Sequence, residues 1–448
     1  MLESNNLCIV SVREILDDNL IIPGYQRPYR WSTKSALTLV SDTYSAFQNK
    51  VSEYRIGSVV LHKTDEKMNV VDGQQRLTTL SIMLYCFYKR TKNEEYRNMS
   101  KLFNAEYNEL STRAIIDNLE TITRKISEID DVVLERYISY VLNECTLVKI
   151  VTDSEQEAFQ FFDSQNSRGK ELAPHDLLKS YHLREMHDDG ESEKVQIINL
   201  WENTNQKKLG LLFEKNLFPL VKWYKTQDGL NYSVKDIKTF KGIKKNNNYN
   251  FSVYNRAANL YIERFNDEGM YELTSGKRVN QFQLTQPLIA GKRFFQYTFY
   301  YADLYDMVEE HIDFKFKDIF ANKVYESTGD GYVKTLFINV VMFYIDKFNF
   351  EALTDSRLMF FFRWAYSLRL TMKAVYKESV NNYAQGKGDR VNRELNMFSA
   401  IAEMQDPMEL DTIILESISY ESFKGSKINE DKYKPVYEKL FGIVSTDV

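Results

Sequence analysis

Apolar positions change their spacing several times along the chain, and each change marks an element. Near the start, "SVREIL" predicts a short helix and "NLIIPGYQRPYRW" an extended, proline-punctuated segment. Ser32 is placed to cap a helix with Leu37, Val40, Tyr44 and Phe47 on one face. "RIGSVVLHK" and "KMNVVD" read as two strands around a polar turn. Leucines then return at helical spacing from about Gln75, with Leu77, Leu80, Leu84 and Phe87 on the core side. Residues 93–143 keep a helical, strongly charged pattern, and "CTLVKIVT" (145–152) is the next strand. Ser154 and Glu157 form a capping-box signature for a helix carrying Ala158, Phe161 and Phe162. That helix stops at "NSRGKELAP", and Pro174 opens another through Leu177, Leu178 and Tyr181. "KDIKTFKGIKKNNNYN" (235–250) breaks all periodicity and reads as a linker, after which helical patterns run long, notably over 357–383. The expected regions are 1–92, 93–234 and 251–448.

Composition narrows the class. At 448 residues and 43% hydrophobic, the chain is long enough for two or three cores. Aromatic residues reach 14% while Gly (17) and Pro (7) are scarce, which favours packed helices over disorder or a β-sandwich. The net charge of -5 provides no global basic field, so any DNA contact must come from a local patch. Arg369, Lys373 and Lys377 offer one such stripe on a continuous helix, with a solvated face as the plainer reading. Cys8, Cys86 and Cys145 are too far apart for a zinc motif or disulfide framework. The N-terminus lacks a signal-peptide pattern, and the most apolar stretch, 336–345, is interrupted by Asn339 and too short to span a bilayer. A cytoplasmic protein without a membrane partner is expected, and nothing opposes self-association.

Three stretches carry candidate chemistry. In "VVDGQQRLTTL", Gly73 permits a tight strand-to-helix turn, and the free N–H groups of the first helical turn favour an anion. Arg76 adds a donor fork suited to phosphate, Asp72 suits Mg²⁺ or a ribose hydroxyl, and Gln74 and Gln75 suit a water or a base. The purely structural alternative makes Asp72 the helix cap. In "IPGYQRPYRWS", Tyr25, Tyr29 and Trp31 alternate with Gln26, Arg27 and Arg30, so the rings either stack on a base or pack on the domain. In "FFDSQNSRGKELAPHDLLKSY", Asn166, Arg168 and Gly169 occupy a tight connection between helices, ahead of Asp176 and Lys179.

The three boxes, in this order, resemble the GmrSD-type restriction endonuclease N-terminal family, related to the ParB/sulfiredoxin nucleotide-binding fold. The resemblance implies an α+β protein: an N-terminal ParB-like α/β domain with a small sheet, followed by a mainly α-helical remainder. It also implies NTP binding and hydrolysis, with GTP or ATP and Mg²⁺, by Asp72, Gln75 and Arg76. Gln26, Arg27, Gly73, Gln74, Asn166 and Arg168 then join Arg76 in holding the nucleotide, and Asp72 takes the metal. Single-chain relatives carry an HNH-type nuclease that needs a histidine pair. Of the five histidines here, His62, His175, His182, His187 and His311, only His311 lies in the second half. Cleavage is therefore expected from a separate nuclease partner, with this chain gating it. A non-catalytic nucleotide- or DNA-binding adaptor and a ParB-like DNA nickase are the alternatives. If the boxes form one site, Arg27, Arg76 and Arg168 should line one cleft, with Asn166 and Asp72 on its walls.

Overall fold

The computed structural model describes residues 7–23, 26, 28–65, 67–99, 101–105, 107, 109–154, 157–158, 173–186, 189–267, 278–320, 327–426 and 428–442. The chain divides into two compact units: Met1–Leu172 with His187–Asn203, and Ala173–Met186 with Thr204–Val448. The α+β class read from the sequence is observed, with a small mixed sheet first and a mainly helical remainder.

The first unit is built on five strands, β1 (Leu7–Ser11), β2 (Leu20–Ile21), β3 (Tyr54–Thr64), β4 (Lys67–Asp72) and β5 (Cys145–Thr152), in the order β1-β5-β3-β4-β2. β3 pairs antiparallel with β4 and parallel with β5, while β1 runs antiparallel to β5. Strand β1 was not foreseen. The expected helices start at their caps: Ser11 closes a capping box with Glu14 on Val12–Asp17, and Ser32 accepts from Ser35 N ahead of Thr33–Gln48. The latter buries Ala36, Leu39, Val40, Thr43 and Ala46, so its core face is rotated from the one read off Leu37 and Tyr44. Along β3 the pleat sends Val59 and Leu61 into the main core and Val60 to the opposite face, where it meets Val71, Ile150 and Ala158. The Gln74–Thr91 helix fills the main core with Leu77, Leu80, Leu84 and Phe87.

The second unit is organised around the Thr328–Phe348 helix, buried on nearly all sides between Val333 and Asp346. This is the apolar 336–345 stretch, and its Asn339 accepts from Asn216 at 2.7 Å and donates to the Lys215 carbonyl at 2.9 Å. Two expectations fail here. Residues 235–250 are not a free linker: Ser233 and Asp236 form a capping box on a 3₁₀ turn, Val234–Phe240, whose Phe240 is buried. Ile243 then bridges to Ile289. The 357–383 helix is also interrupted, ending at Thr371 and resuming at Lys377. Arg369 is buried against Asp330 and Tyr433, so the stripe of Arg369, Lys373 and Lys377 does not form.

Among the described residues, no helix is long and apolar enough to cross a membrane.

Candidate functional site

The Asp72–Arg76 box sits where β4 ends and the Gln74–Thr91 helix begins. Gly73 has φ +93°, a left-handed conformation that side chains other than glycine disfavour. A Cβ there would also press within 3.1 Å of Val59 Cγ2 and 3.3 Å of the Ser58 carbonyl. Gly73 is the residue at the N-cap, and no side chain caps the helix, so the reading of Asp72 as its cap is wrong. The first intrahelical bond runs from Leu77 N to Gly73 O. The amides of Gln74, Gln75 and Arg76 therefore have no helical acceptor, and among the described residues no side chain caps the positive end of this 18-residue helix.

The side chains divide into two groups. Gln26 and Gln75 are engaged by backbone. Gln26 Nε2 donates to the Val70 and Val71 carbonyls, both at 2.9 Å, just past the point where β2 stops pairing with β4. Gln75 Oε1 accepts from Arg30 N at 2.8 Å and Trp31 N at 3.1 Å, while its Nε2 donates to the Pro28 carbonyl at 3.2 Å. These two amides fasten the proline-punctuated segment to the strand end and the helix start.

Asp72, Gln74 and Arg76 are differently placed. Among the described residues, the side chain of half-buried Asp72 has no hydrogen bond or ion pair, while its backbone pairs with Val60 in the sheet. Arg76 is half-buried and uses one nitrogen, Nη1, to donate to the Ser58 carbonyl at 2.7 Å. Its guanidinium lies over Gly57, where a Cβ would collide with Nη1. Gln74 is buried, and among the described residues its Oε1 has no hydrogen-bond partner. An orphaned amide oxygen of this kind costs about 1–3 kcal/mol until a donor reaches it.

The aromatic residues of the second box that are described serve packing. Tyr29 is fully buried, with its hydroxyl 2.8 Å from Thr79 Oγ1 and accepting from Asn118 Nδ2 at 2.9 Å. Burial pushes its phenol up, opposed by those bonds to Thr79 and Asn118. Trp31 packs partly buried against the same core. Arg30 pairs with Glu202 at 3.1 Å.

Tyr25, Arg27, Asn166, Arg168 and Gly169 lie outside the described residues, and so does the proposed convergence of the three arginines. The site features missed by sequence reading are Gly57 and Ser58. The signal was available, because a glycine inside a strand pattern marks a bulge or a close approach. The β3–β5 register does shift between Arg55 and Gly57.

The residues present suit a nucleotide carrying Mg²⁺ with its phosphates. Among the described residues, no cluster of three or more His, Cys, Asp and Glu could hold a metal by itself, so Asp72 offers a single carboxylate. One or two carboxylates with phosphate oxygens is the usual way Mg²⁺ is held. Of the histidines, His182 is fully buried in the second unit, 2.9 Å from the Phe240 carbonyl and accepting from Gly291 N at 3.1 Å. It stacks on Phe294 at 3.9 Å, and burial drives its imidazole down to about 3. It is a satisfied core residue.

Residues 12–183 match the GmrSD restriction endonuclease N-terminal domain. Residues 193–430, more than half of the chain, match a family of unknown function (DUF7834). No curated protein matches the chain.

Proposed function

Since the chain belongs to a family of unknown function (DUF7834) and carries a GmrSD restriction endonuclease N-terminal domain ahead of that match, we propose that it is the nucleotide-binding and NTP-hydrolysing subunit of a restriction or defence system, gating a nuclease supplied by a partner. The observation that carries this reading is the uncapped helix start at Gly73, with Asp72 and Arg76 beside it in sequence and Gln74 Oε1 buried without a donor.

In this reading the free amides of residues 74–76 and the Arg76 guanidinium hold phosphate oxygens, because backbone donors and a fixed cation need no rearrangement as charge builds there. Gly73 allows the approach. Asp72 would hold the metal or orient the attacking water, and Gln74 Oε1 would accept from a ribose hydroxyl or a base amino group. Bound Mg²⁺ supplies neutralisation of the β- and γ-phosphate charge. Gln26 and Gln75 act through the segment they fasten. Arg27 and Arg168 would complete the charge balance of a triphosphate, and Asn166 would join them in holding it.

The test is phosphate release from GTP and ATP by the pure chain with Mg²⁺, with binding measured separately by equilibrium dialysis. Turnover lost in Arg76→Ala and Asp72→Ala supports the reading. Tight binding with no turnover in the wild type leaves an adaptor, and nicking of supercoiled plasmid by the chain alone leaves a nickase. An Arg76→Ala protein with unchanged binding and turnover removes the site altogether.

A further inference from the structure

The Asn250–Asp267 helix presents its faces in the opposite sense to an ordinary surface helix. Its polar side faces the body of its own unit. Arg256 donates to the Lys245 carbonyl and to Asn248 Oδ1 at 3.2 Å, and Glu263 pairs with Arg293 and, at 3.4 Å, with Lys292. Asn266 brackets Val279 with two bonds of 2.9 Å, one to its N and one to its O. The outward side carries Val253, Tyr254, Leu260 and Tyr261, exposed by 46%, 78%, 62% and 59%. Ala257 and Ala258, also exposed, lie between them.

We propose that this face is the interface of a homodimer, in which the helices of two copies pack antiparallel about a two-fold axis at Ala257. The size of the patch fits. With Tyr249 and Phe251, exposed by 74% and 62%, six large side chains lie open to solvent. At about 200 Å² per aromatic side chain they present roughly 800 Å², more than the usual 300–600 Å² patch of a monomer and close to the share each partner contributes to a standard interface.

The pattern is also self-complementary. Antiparallel packing about residue 257 sets Val253 against Tyr261 of the second copy and Tyr254 against Leu260, and the small Ala257 and Ala258 at the crossing let the axes approach closely. No charged side chain lies on the outward side between Val253 and Tyr261, so two copies meet there without repulsion although the chain carries a net charge of -5. A nucleic acid would need cations distributed along the face to neutralise phosphates, and Arg264 stands beyond its end.

Sedimentation velocity on the full chain, from about 1 to about 50 µM, tests this. The expected species is twice 52.8 kDa, dissociating on dilution. Leu260→Glu and Tyr254→Lys should each weaken association at least about tenfold. Their far-UV circular dichroism and thermal midpoints should stay at the wild-type values, because both side chains are exposed in the single chain. The double variant should recover part of the association, since 254 faces 260 across the axis. A monomer at every concentration overturns the proposal, as does a dimer indifferent to Leu260→Glu. A double variant weaker than either single one overturns the antiparallel register. Loss of single-stranded DNA binding in Leu260→Glu, with no change in mass, would reassign the face to nucleic acid.

Discussion

Asp72 lies one residue before the helix start at Gly73, and Asp330 lies in the first turn of the Thr328–Phe348 helix, but their surroundings are opposite. Asp330 is buried and saturated. Its Oδ1 accepts from Arg369 Nε at 2.9 Å and the Tyr433 hydroxyl at 2.7 Å, and its Oδ2 from Lys432 Nζ at 2.7 Å and Ser327 Oγ at 2.5 Å. The Arg369 guanidinium also lies over the Tyr433 ring at 4.2 Å, and its Nη1 donates to the Met372 carbonyl at 2.7 Å. The side chains of Asp72 and Arg76, by contrast, make a single hydrogen bond among the described residues, from Arg76 to the Ser58 carbonyl. The same residue types hold a fold together in one unit and are left with a single side-chain hydrogen bond in the other. A saturated cluster should therefore answer to stability measurements and a sparsely bonded pair to ligand measurements.

Asp330→Ala should produce the largest effect. It leaves Arg369 buried without its counter-charge, a loss of about 3–5 kcal/mol in urea unfolding. If the units are energetically independent, the nucleotide affinity of the protein that remains folded should not change. Arg76→Ala should do the reverse. Phosphate release should fall by about 10²–10³-fold, while its unfolding midpoint matches the wild type. A stability loss as large as that of Asp330→Ala would erase the contrast.

Acid titration comes next. Hydrogen bonds from Lys432, Ser327, Tyr433 and Arg369, outweighing the opposing cost of burial, bring the Asp330 carboxyl down from 3.8 to about 2. A depressed carboxyl contributes stability above its unfolded value, lost as pH falls through the folded one. About 2 kcal/mol should therefore disappear between about pH 4 and pH 2, and Asp330→Asn should remove that step from a pH series of unfolding curves. Asp346 should behave in the opposite sense. Burial raises its carboxyl to about 7, against the bonds from Tyr301 and Leu284 N that favour its charged form. Its stabilising contribution is complete below about pH 4 and declines as pH rises towards 7. Asp346→Asn should flatten that slope. Gly73→Ala should cost about 1–2 kcal/mol of stability for a side chain at positive φ. That variant sharpens the comparison most finely, since nucleotide affinity should drop further than stability does.

What the sequence revealed follows from how local each feature is. β3, β4, β5 and the helix carrying Leu77 to Phe87 were legible because their periods are set by neighbours in the chain. The Asp-Gly-Gln-Gln-Arg turn was legible for the same reason. The engagement of Gln75 by Pro28, Arg30 and Trp31 was not, and neither was the seat of Arg76 on Gly57, because both depend on partners from other elements. The break after Thr371 carries no proline or glycine to announce it, and Arg369 is drawn inward by Asp330 and Tyr433 from distant positions. Residues 235–250 lost their helical period without losing structure, since a 3₁₀ turn and one bridge hold them.

The strand order of the first unit has a consequence for synthesis. β5 is the shared neighbour of β1 and β3, joining Leu7 to Ile150 and Tyr54 to Cys145 across long stretches of chain. Those loops must close before any of these rungs forms, which makes the sheet a slow, non-local step in folding. A nascent chain released before Cys145 carries β1 without its β5 neighbour and one side of β3 open, a ready template for association with other chains. The first unit also recruits His187–Asn203 after the chain has contributed Ala173–Met186 to the second. Truncations intended to isolate the Asp72–Arg76 turn in its folded unit should therefore run through Asn203. Those ending near residue 92 should be recovered as insoluble protein, however complete their Asp72–Arg76 turn.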